Sequence, residues 1–273
     1  MSKATRFSSL RPLALVLLSV AGTALAQSGD EDLFAQYRQM FGDDNPAALV
    51  EDQGRDLWTA ARGPKKVSLA QCDLGLGAGK VDGAYAQLPR YFADTGKVMD
   101  LETRLVYCMA TLQGFDAAQL ANKPYSEQGA SQTDLEALSA YVAGRSRGAP
   151  IAVPQSNAAE RAAYDTGHRF FYFRAGPHDF SCATCHSQTG KRIRLQALPN
   201  LTTPEGTRKA FATWPGYRVS QGAVRTMEWR MGDCVRQQRL PELQFGSDVA
   251  IGLITYLGVQ AQGEKMNAPG LKR

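Results

Sequence analysis

Two eight-residue windows of the chain carry the same order of apolar and polar positions. Leu101-Glu102-Thr103-Arg104-Leu105-Val106-Tyr107-Cys108 and Met227-Glu228-Trp229-Arg230-Met231-Gly232-Asp233-Cys234 both read apolar, Glu, any residue, Arg, apolar, two further residues, Cys. Upstream of each window a cysteine region is followed by Gly-Lys: Cys72 with Gly79-Lys80, and Cys182 with Gly190-Lys191. Downstream of each, residues 134–143 and 247–258 read as a closing helix, with Tyr141 and Tyr256 near their ends. Such self-similarity predicts two related domains. The Gly/Ala/Pro-rich stretch 144–157 is the expected boundary between them. A helical second window would set Arg230 and Cys234 on one face, four residues apart.

A third apolar stretch stands apart. Residues 12–21 are largely apolar, follow Lys3, Arg6 and Arg11, and lead to Ala24-Leu25-Ala26. That order reads as an export leader, residues 1–26, and the apolar run is short for a membrane span. No other stretch is apolar for long enough to span a bilayer, so the expected mature chain starts near Gln27 and has no membrane span. Loss of the leader lowers the formal charge from +5 to about +2, which removes any argument for nucleic acid from the alkaline pI. Roughly 245 residues remain, enough for two small domains.

The sharpest local motif is Ser181-Cys182-Ala183-Thr184-Cys185-His186. CxxCH is the attachment pattern of c-type haem. Two thiols one helical turn apart add to the two vinyl groups, and the adjacent histidine binds iron. An export leader agrees with this, because the haem is attached outside the cytoplasm. No second ligand pair at zinc-finger spacing exists. His168 and His178 precede the motif and read as loop histidines. For the sixth iron ligand, Met227 and Met231 lie where an electron-transfer cytochrome places its methionine, and Cys234 lies just beyond. Distance along the chain leaves these in competition.

The first half has no histidine and a single cysteine, Cys72, where the second has CxxCH, so it cannot hold a conventional c-type haem. If the halves are related, Cys72 and Cys108 flank an emptied haem pocket. A disulfide closing it would span some 36 residues and stabilise the fold by roughly 3–4 kcal/mol in the loop-entropy model. An oxidising compartment favours that bond over two buried free thiols. Of the five cysteines, Cys234 is then left over. It lies among Arg225, Arg230, Arg236 and Arg239, a setting that favours thiolate, as iron(III) would. The guanidinium of Arg230 has the fork to grip an anionic, oxygen-bearing substrate. A solvated basic helix with a buried thiol is the plainer alternative.

The sequence resembles the SoxA family, the A subunits of the SoxAX cytochromes of bacterial thiosulfate oxidation, over nearly all the mature chain. In the first half the resemblance rests on Cys72-Asp73-Leu74-Gly75-Leu76-Gly77, Gly83-Ala84-Tyr85-Ala86-Gln87-Leu88-Pro89-Arg90-Tyr91-Phe92, Met99-Asp100-Leu101-Glu102 and Cys108-Met109. In the second it rests on the CxxCH motif, Trp214-Pro215-Gly216-Tyr217-Arg218 and Arg230-Met231-Gly232-Asp233-Cys234.

The resemblance implies a mainly α fold of two cytochrome-c-like domains in tandem with long loops. Residues 27–150 would lack a haem motif, and residues 151–273 would carry one covalent c-type haem on Cys182 and Cys185. It implies iron ligation by His186 and Cys234, with Cys72 and Cys108 as a disulfide replacing the first haem. Cys234 would be the catalytic residue, carried as a persulfide in some states, and Arg230 would contact substrate. The implied activity is L-cysteine S-thiosulfotransferase. Thiosulfate is joined oxidatively to a cysteine of the carrier SoxYZ in the periplasm, and two electrons pass to cytochrome c. The implied partner is the small cytochrome SoxX. Arg236 and Arg239 either tune the field or are solvated. The competing readings are an electron-transfer cytochrome with a methionine on iron and a structural subunit whose partner does the chemistry.

Overall fold

The computed structural model of the protein describes residues 45–193 and 196–273. The expected leader, residues 1–26, and the start of the first expected domain lie outside the described residues. Among those described, helices carry the architecture and three small sheets join them. The first half holds α1 (Ala47–Thr59), the hairpin of β1 (Arg90–Phe92) and β2 (Lys97–Met99), α2 (Leu101–Cys108), α3 (Ala117–Asn122) and α4 (Asp134–Gly144). The second half begins with α5 (Ala158–Tyr172), α6 (Cys182–His186) and the antiparallel pair β3 (Arg192–Ile193) and β4 (Gln196–Ala197). After α7 (Pro204–Phe211) come β5 (Gly216–Arg218), β6 (Ala223–Arg225), α8 (Met227–Gln237), α9 (Asp248–Gln260) and β7 (Gly270–Lys272). Strand β5 is central in its sheet, antiparallel to β6 and parallel to β7.

Local chemistry explains where the helices start. Asp100 accepts from the Thr103 amide ahead of α2, and Thr226 accepts from the Trp229 amide ahead of α8. These caps occupy the same place in the repeated window, just before its first residue. Thr133 with Glu136 and Asn157 with Glu160 form capping boxes on α4 and α5, and Ser247 caps α9. Each cap satisfies amide donors that an open helix end leaves without partners.

In each half the first and last helices pack together, α1 on α4 and α5 on α9. Both crossings are set by glycine. A Cβ on Gly54 would lie 2.0 Å from the Ala137 carbonyl oxygen, and one on Gly167 would lie 1.9 Å from that of Gly252. No side chain fits at such a distance, so the two backbones touch. Tyr141 then packs on Trp58, and Tyr256 joins an aromatic group with Tyr164, His168 and Phe171. The closing helices thus stand where their apolar pattern places them.

The stretch 144–157 is not a loose linker. Gly148 and Ile151 donate backbone hydrogen bonds to Met266 and Glu264, and Ala152 donates to Ala86. Ile151 and Val153 are buried. One cluster of buried apolar side chains runs from Trp58 to Ala268, through both halves. Strand β6 is also tied to the first half. Arg225 donates to Glu136 at 2.5 Å and to the Ser126 carbonyl at 2.7 Å, while the Val224 amide donates to Gln132 at 2.6 Å.

Where the two repeated windows approach, three carboxyls meet. Asp100, Glu102 and Glu228 are buried, with one oxygen of each within 4.8 Å of the others. Glu102 and Glu228 hold the same position in the repeat. Burial, then the charge of Asp100, raises Glu102 to about 8. Burial also raises Asp100, and burial with the two neighbouring charges holds Glu228 well above the carboxylate range. The folded protein therefore keeps a proton on Glu102 that the unfolded chain gives up near its ordinary value of 4.5. The resulting stability is complete below about pH 4.5 and is lost as pH rises through about 8. The slope approaches ~1.4 kcal/mol per pH unit for one proton. Urea unfolding between these limits should show the decline in wild type and a flatter profile in Glu102→Gln; identical profiles would remove the cluster as its cause.

No described helix is long and apolar enough to cross a membrane.

Candidate active site

The CxxCH motif folds as a single helical turn because Ser181 caps it. Its hydroxyl accepts from the Thr184 amide at 3.2 Å, while Thr184 Oγ1 accepts from the Ser181 amide at 3.0 Å. The Ala175–Phe180 bridge just upstream holds the entry to this turn. Cys182 and Cys185 therefore sit one turn apart, and both are half-buried free thiols. Lys191 donates to the Thr184 carbonyl at 2.6 Å and braces the turn.

His186 follows immediately. Its Nδ1 lies 2.9 Å from the Pro199 carbonyl oxygen. A carbonyl only accepts, so Nδ1 carries the proton and Nε2 keeps its lone pair. Burial lowers the His186 pKa against the opposing effect of that hydrogen bond, and the charges of Arg230 and Lys191 lower it further. The ring is thus neutral and oriented, as an iron ligand must be.

Helix α8 brings the repeated arginine and cysteine to the same place. Arg230 acts on His186, and the Cys234 thiol acts on Cys182, whose own pKa is pushed up to about 11 chiefly by burial. Cys185 acts in turn on Cys234. The five residues expected at a haem and substrate site, Cys182, Cys185, His186, Arg230 and Cys234, are therefore linked by their electrostatic interactions. This donor set fits a c-type haem: two thiols at vinyl spacing, a neutral imidazole with a free Nε2, and a further sulfur beside them.

The other candidates are placed elsewhere. Met227 is buried beside Tyr85, Asp100 and Glu102, in a small cavity at the carboxyl junction. Met231 packs on the core. His168, read as a loop histidine, instead lies within helix α5, where its ring stacks on Tyr164; His178 lies against Phe180. Arg225 belongs to the Glu136 ion pair. Arg239 lies in a left-handed turn past α8, with φ of 55°. Cys72 and Cys108 form the expected disulfide, which joins a first-half loop to the end of α2.

The expectation for Cys234 is corrected as well. The arginines were expected to favour thiolate at Cys234. Arg230 and, more weakly, Arg218 do act in that direction, but burial is larger and Asp233 and Cys185 reinforce it, so the Cys234 pKa is raised. Exclusion of water outweighs the guanidinium charges in the polypeptide itself.

Two residues escaped the sequence reading. Asp233 accepts from Arg230 at 2.9 Å, Arg236 at 2.6 Å and Gln237 at 2.7 Å. Those hydrogen bonds and the arginine charges outweigh burial and hold its pKa below the ordinary range. The helical spacings i to i+3 and i to i+4 around Asp233 were the available signal. Arg218, from β5, interacts electrostatically with Arg230, Asp233 and Cys234. Its only signal was its place in the Trp214–Arg218 run quoted above.

Comparison with known proteins agrees with this geometry. The family model of the SoxA/TsdA cytochrome c domain matches residues 53–151 and 166–266. The L-cysteine S-thiosulfotransferase subunit SoxA of Hydrogenophilus thermoluteolus is 44% identical over 266 residues, covering 94% of this chain and 97% of that protein. A protein of the same description from Hydrogenobacter thermophilus is 32% identical, covering 84% of this chain and 82% of its own. The crystal structure of SoxXA from P. pantotrophus has a chain that superposes with a TM-score of 0.69 at 25% identity, over 85% of this chain and 80% of that one.

Proposed function

We infer that this chain, which belongs to the SoxA/TsdA cytochrome c family, is the SoxA subunit of an L-cysteine S-thiosulfotransferase. It couples thiosulfate oxidatively to a cysteine of a carrier protein. The observation that carries this reading is the convergence of Arg230 and Cys234 on the CxxCH turn. A plain electron-transfer site needs no cationic anchor beside a spare thiol.

The new bond joins the outer sulfur of thiosulfate to the carrier cysteine sulfur. The carrier thiol releases its proton, and two electrons leave. Cys182 and Cys185 would attach a haem and His186 and Cys234 would ligate its iron; such a group would supply one-electron redox chemistry beside the new bond. Arg230 orients the dianion by its charge and its fork of donors, while Asp233 holds that fork in place on α8. Cys234 presents sulfur in a partly water-excluded pocket, as a nucleophile or a covalent sulfur carrier. The Pro199 carbonyl keeps the His186 ring turned, with Nε2 free for iron.

The same reading gives two tandem cytochrome-c-like domains. Residues 27–150 have lost their haem and keep the disulfide, and residues 151–273 hold a single covalent haem. SoxX is the partner subunit and SoxYZ the carrier. This reading takes the periplasm as the compartment of the reaction; the leader-like pattern of residues 1–26 and the disulfide support it.

The test is turnover of the haem-loaded complex with carrier, thiosulfate and oxidised cytochrome c, read by intact mass and by peptide mapping. A thiosulfate adduct on the carrier cysteine, formed as cytochrome c is reduced, is expected. Electron exchange with cytochrome c and an unmodified carrier would replace this reading by simple electron transfer.

A further inference from the structure

Three arginines of the described structure have a buried side-chain nitrogen without a hydrogen-bond partner: Arg62, Arg218 and Arg225. Two of these have a carboxylate for their charge, Asp134 for Arg62 and Glu136 for Arg225. Arg218 has none among the described residues. A half-buried guanidinium without a counter-ion is costly, and an unpaired buried donor calls for an explanation.

Its surroundings supply one. Arg218 sits with its guanidinium carbon 5.6 Å from the centre of the Trp229 ring, the residue before Arg230 on α8. Burial lowers its pKa, and Arg230 adds a like charge. The carboxylate within electrostatic reach is Asp233, and the Cys234 thiol lies beside it. Asp233 is already divided among Arg230, Arg236 and Gln237. The site therefore holds two guanidiniums beside one shared carboxylate and a thiol.

The first half shows what a closed version looks like. Arg104 stands where Arg230 does in the repeat. Its Nη1 donates to Asp94 Oδ1 at 2.9 Å and its Nη2 lies 2.8 Å from Oδ2, while Nε donates to the Asp73 carbonyl at 2.7 Å. The Phe92 ring covers it at 4.0 Å. That arginine is neutralised by a carboxylate of its own. In the second half the matching Arg230 shares Asp233 with Arg236 and Gln237, and Arg218 adds a further guanidinium without a carboxylate partner among the described residues.

We propose that Arg218 is a second substrate-binding residue, which donates together with Arg230 to the sulfonate end of a sulfur oxyanion dianion next to Cys234. The assignment rests on the functional reading above for the identity of the anion, but not for its charge. Two forked donors on separate elements, β5 and α8, select a dianion with several oxygens over a monoanion such as chloride. They also fix its orientation, leaving the outer sulfur for chemistry.

The experiment uses the haem-loaded complex with its partner subunit, in wild type, Arg218→Gln, Arg218→Lys and the surface control Arg55→Gln. Sulfate, an unreactive dianion, is titrated by calorimetry, and thiosulfate coupling is followed in parallel. A charged hydrogen bond of this kind supports a loss of sulfate affinity of about tenfold to a hundredfold in Arg218→Gln. The KM for thiosulfate should rise by a similar factor with kcat changed far less. Arg218→Lys should keep the fold and the haem spectrum but recover only part of the affinity, because a point charge replaces a fork. It serves as the readable variant if Arg218→Gln fails to fold. Arg55→Gln should match wild type. Sulfate that does not bind wild type, or that binds both Arg218 variants equally well, overturns the assignment. A wild type that binds sulfate through Arg218 but does not couple thiosulfate would leave the anion site standing and remove the functional reading instead.

Discussion

Cys234→Ser is expected to keep the covalent haem and to lower thiosulfate coupling by on the order of a thousandfold or more. The proposed attachment points, Cys182 and Cys185, lie on α6, and the capping hydrogen bonds of that turn involve no atom of α8. The substitution removes sulfur and leaves a hydroxyl of nearly the same shape, so packing around α8 is preserved. Arg230 and Asp233 stay paired one turn along the helix. Loss of activity with retained anion binding would then locate the defect in the chemistry rather than in recognition. The visible spectrum provides a separate readout, because under the proposed ligation replacing the Cys234 sulfur would change the ligand field of iron. Full turnover in the variant would make this chain a passive electron conduit and assign the chemistry to its partner.

The second large effect concerns stability. Removing the Cys72–Cys108 disulfide by Cys72→Ala with Cys108→Ala should cost roughly 3–4 kcal/mol, through the entropy of a loop of 36 residues. For a domain pair of this size that corresponds to roughly 10 °C in Tm. Both sulfurs are buried in the core that continues into the second half, so a small packing loss adds to the effect. The double substitution avoids leaving a reactive thiol. At ambient temperature the haem spectrum and thiosulfate coupling should be unchanged, because the active site is built from other elements. A melting temperature within about 2 °C of wild type would show that the loop is held by the surrounding core without its cross-link.

Much of this protein is written in short-range pattern. CxxCH defines two attachment points and a ligand within six positions, counting its capping serine, and the cap is itself readable. The repeated window names Arg230 and Cys234 and their first-half counterparts Arg104 and Cys108. Cysteine count, export leader and repeat together point to the Cys72–Cys108 pair, which the fold contains. The caps and apolar runs place the closing helices to within a residue or two. The strands were not legible, because segments of two or three residues carry no period-two pattern. Composition marks the stretch 144–157 as a boundary, but says nothing of its backbone hydrogen bonds, which run to residues far away in sequence.

What only the tertiary structure decided depends on exclusion of water and on packing between distant segments. Burial turned Cys234 toward thiol although its arginines pull the other way. The approach of the two repeated windows brought Asp100, Glu102 and Glu228 into one buried cluster whose pKa values burial raises, where the sequence shows only three separate acidic residues. The sheet carried Arg218 to a thiol sixteen positions later in the chain and gave it no carboxylate. Local spacing names the groups able to react. Their charge states and partners follow from the low-dielectric interior that encloses them, which forms only when both halves have folded together.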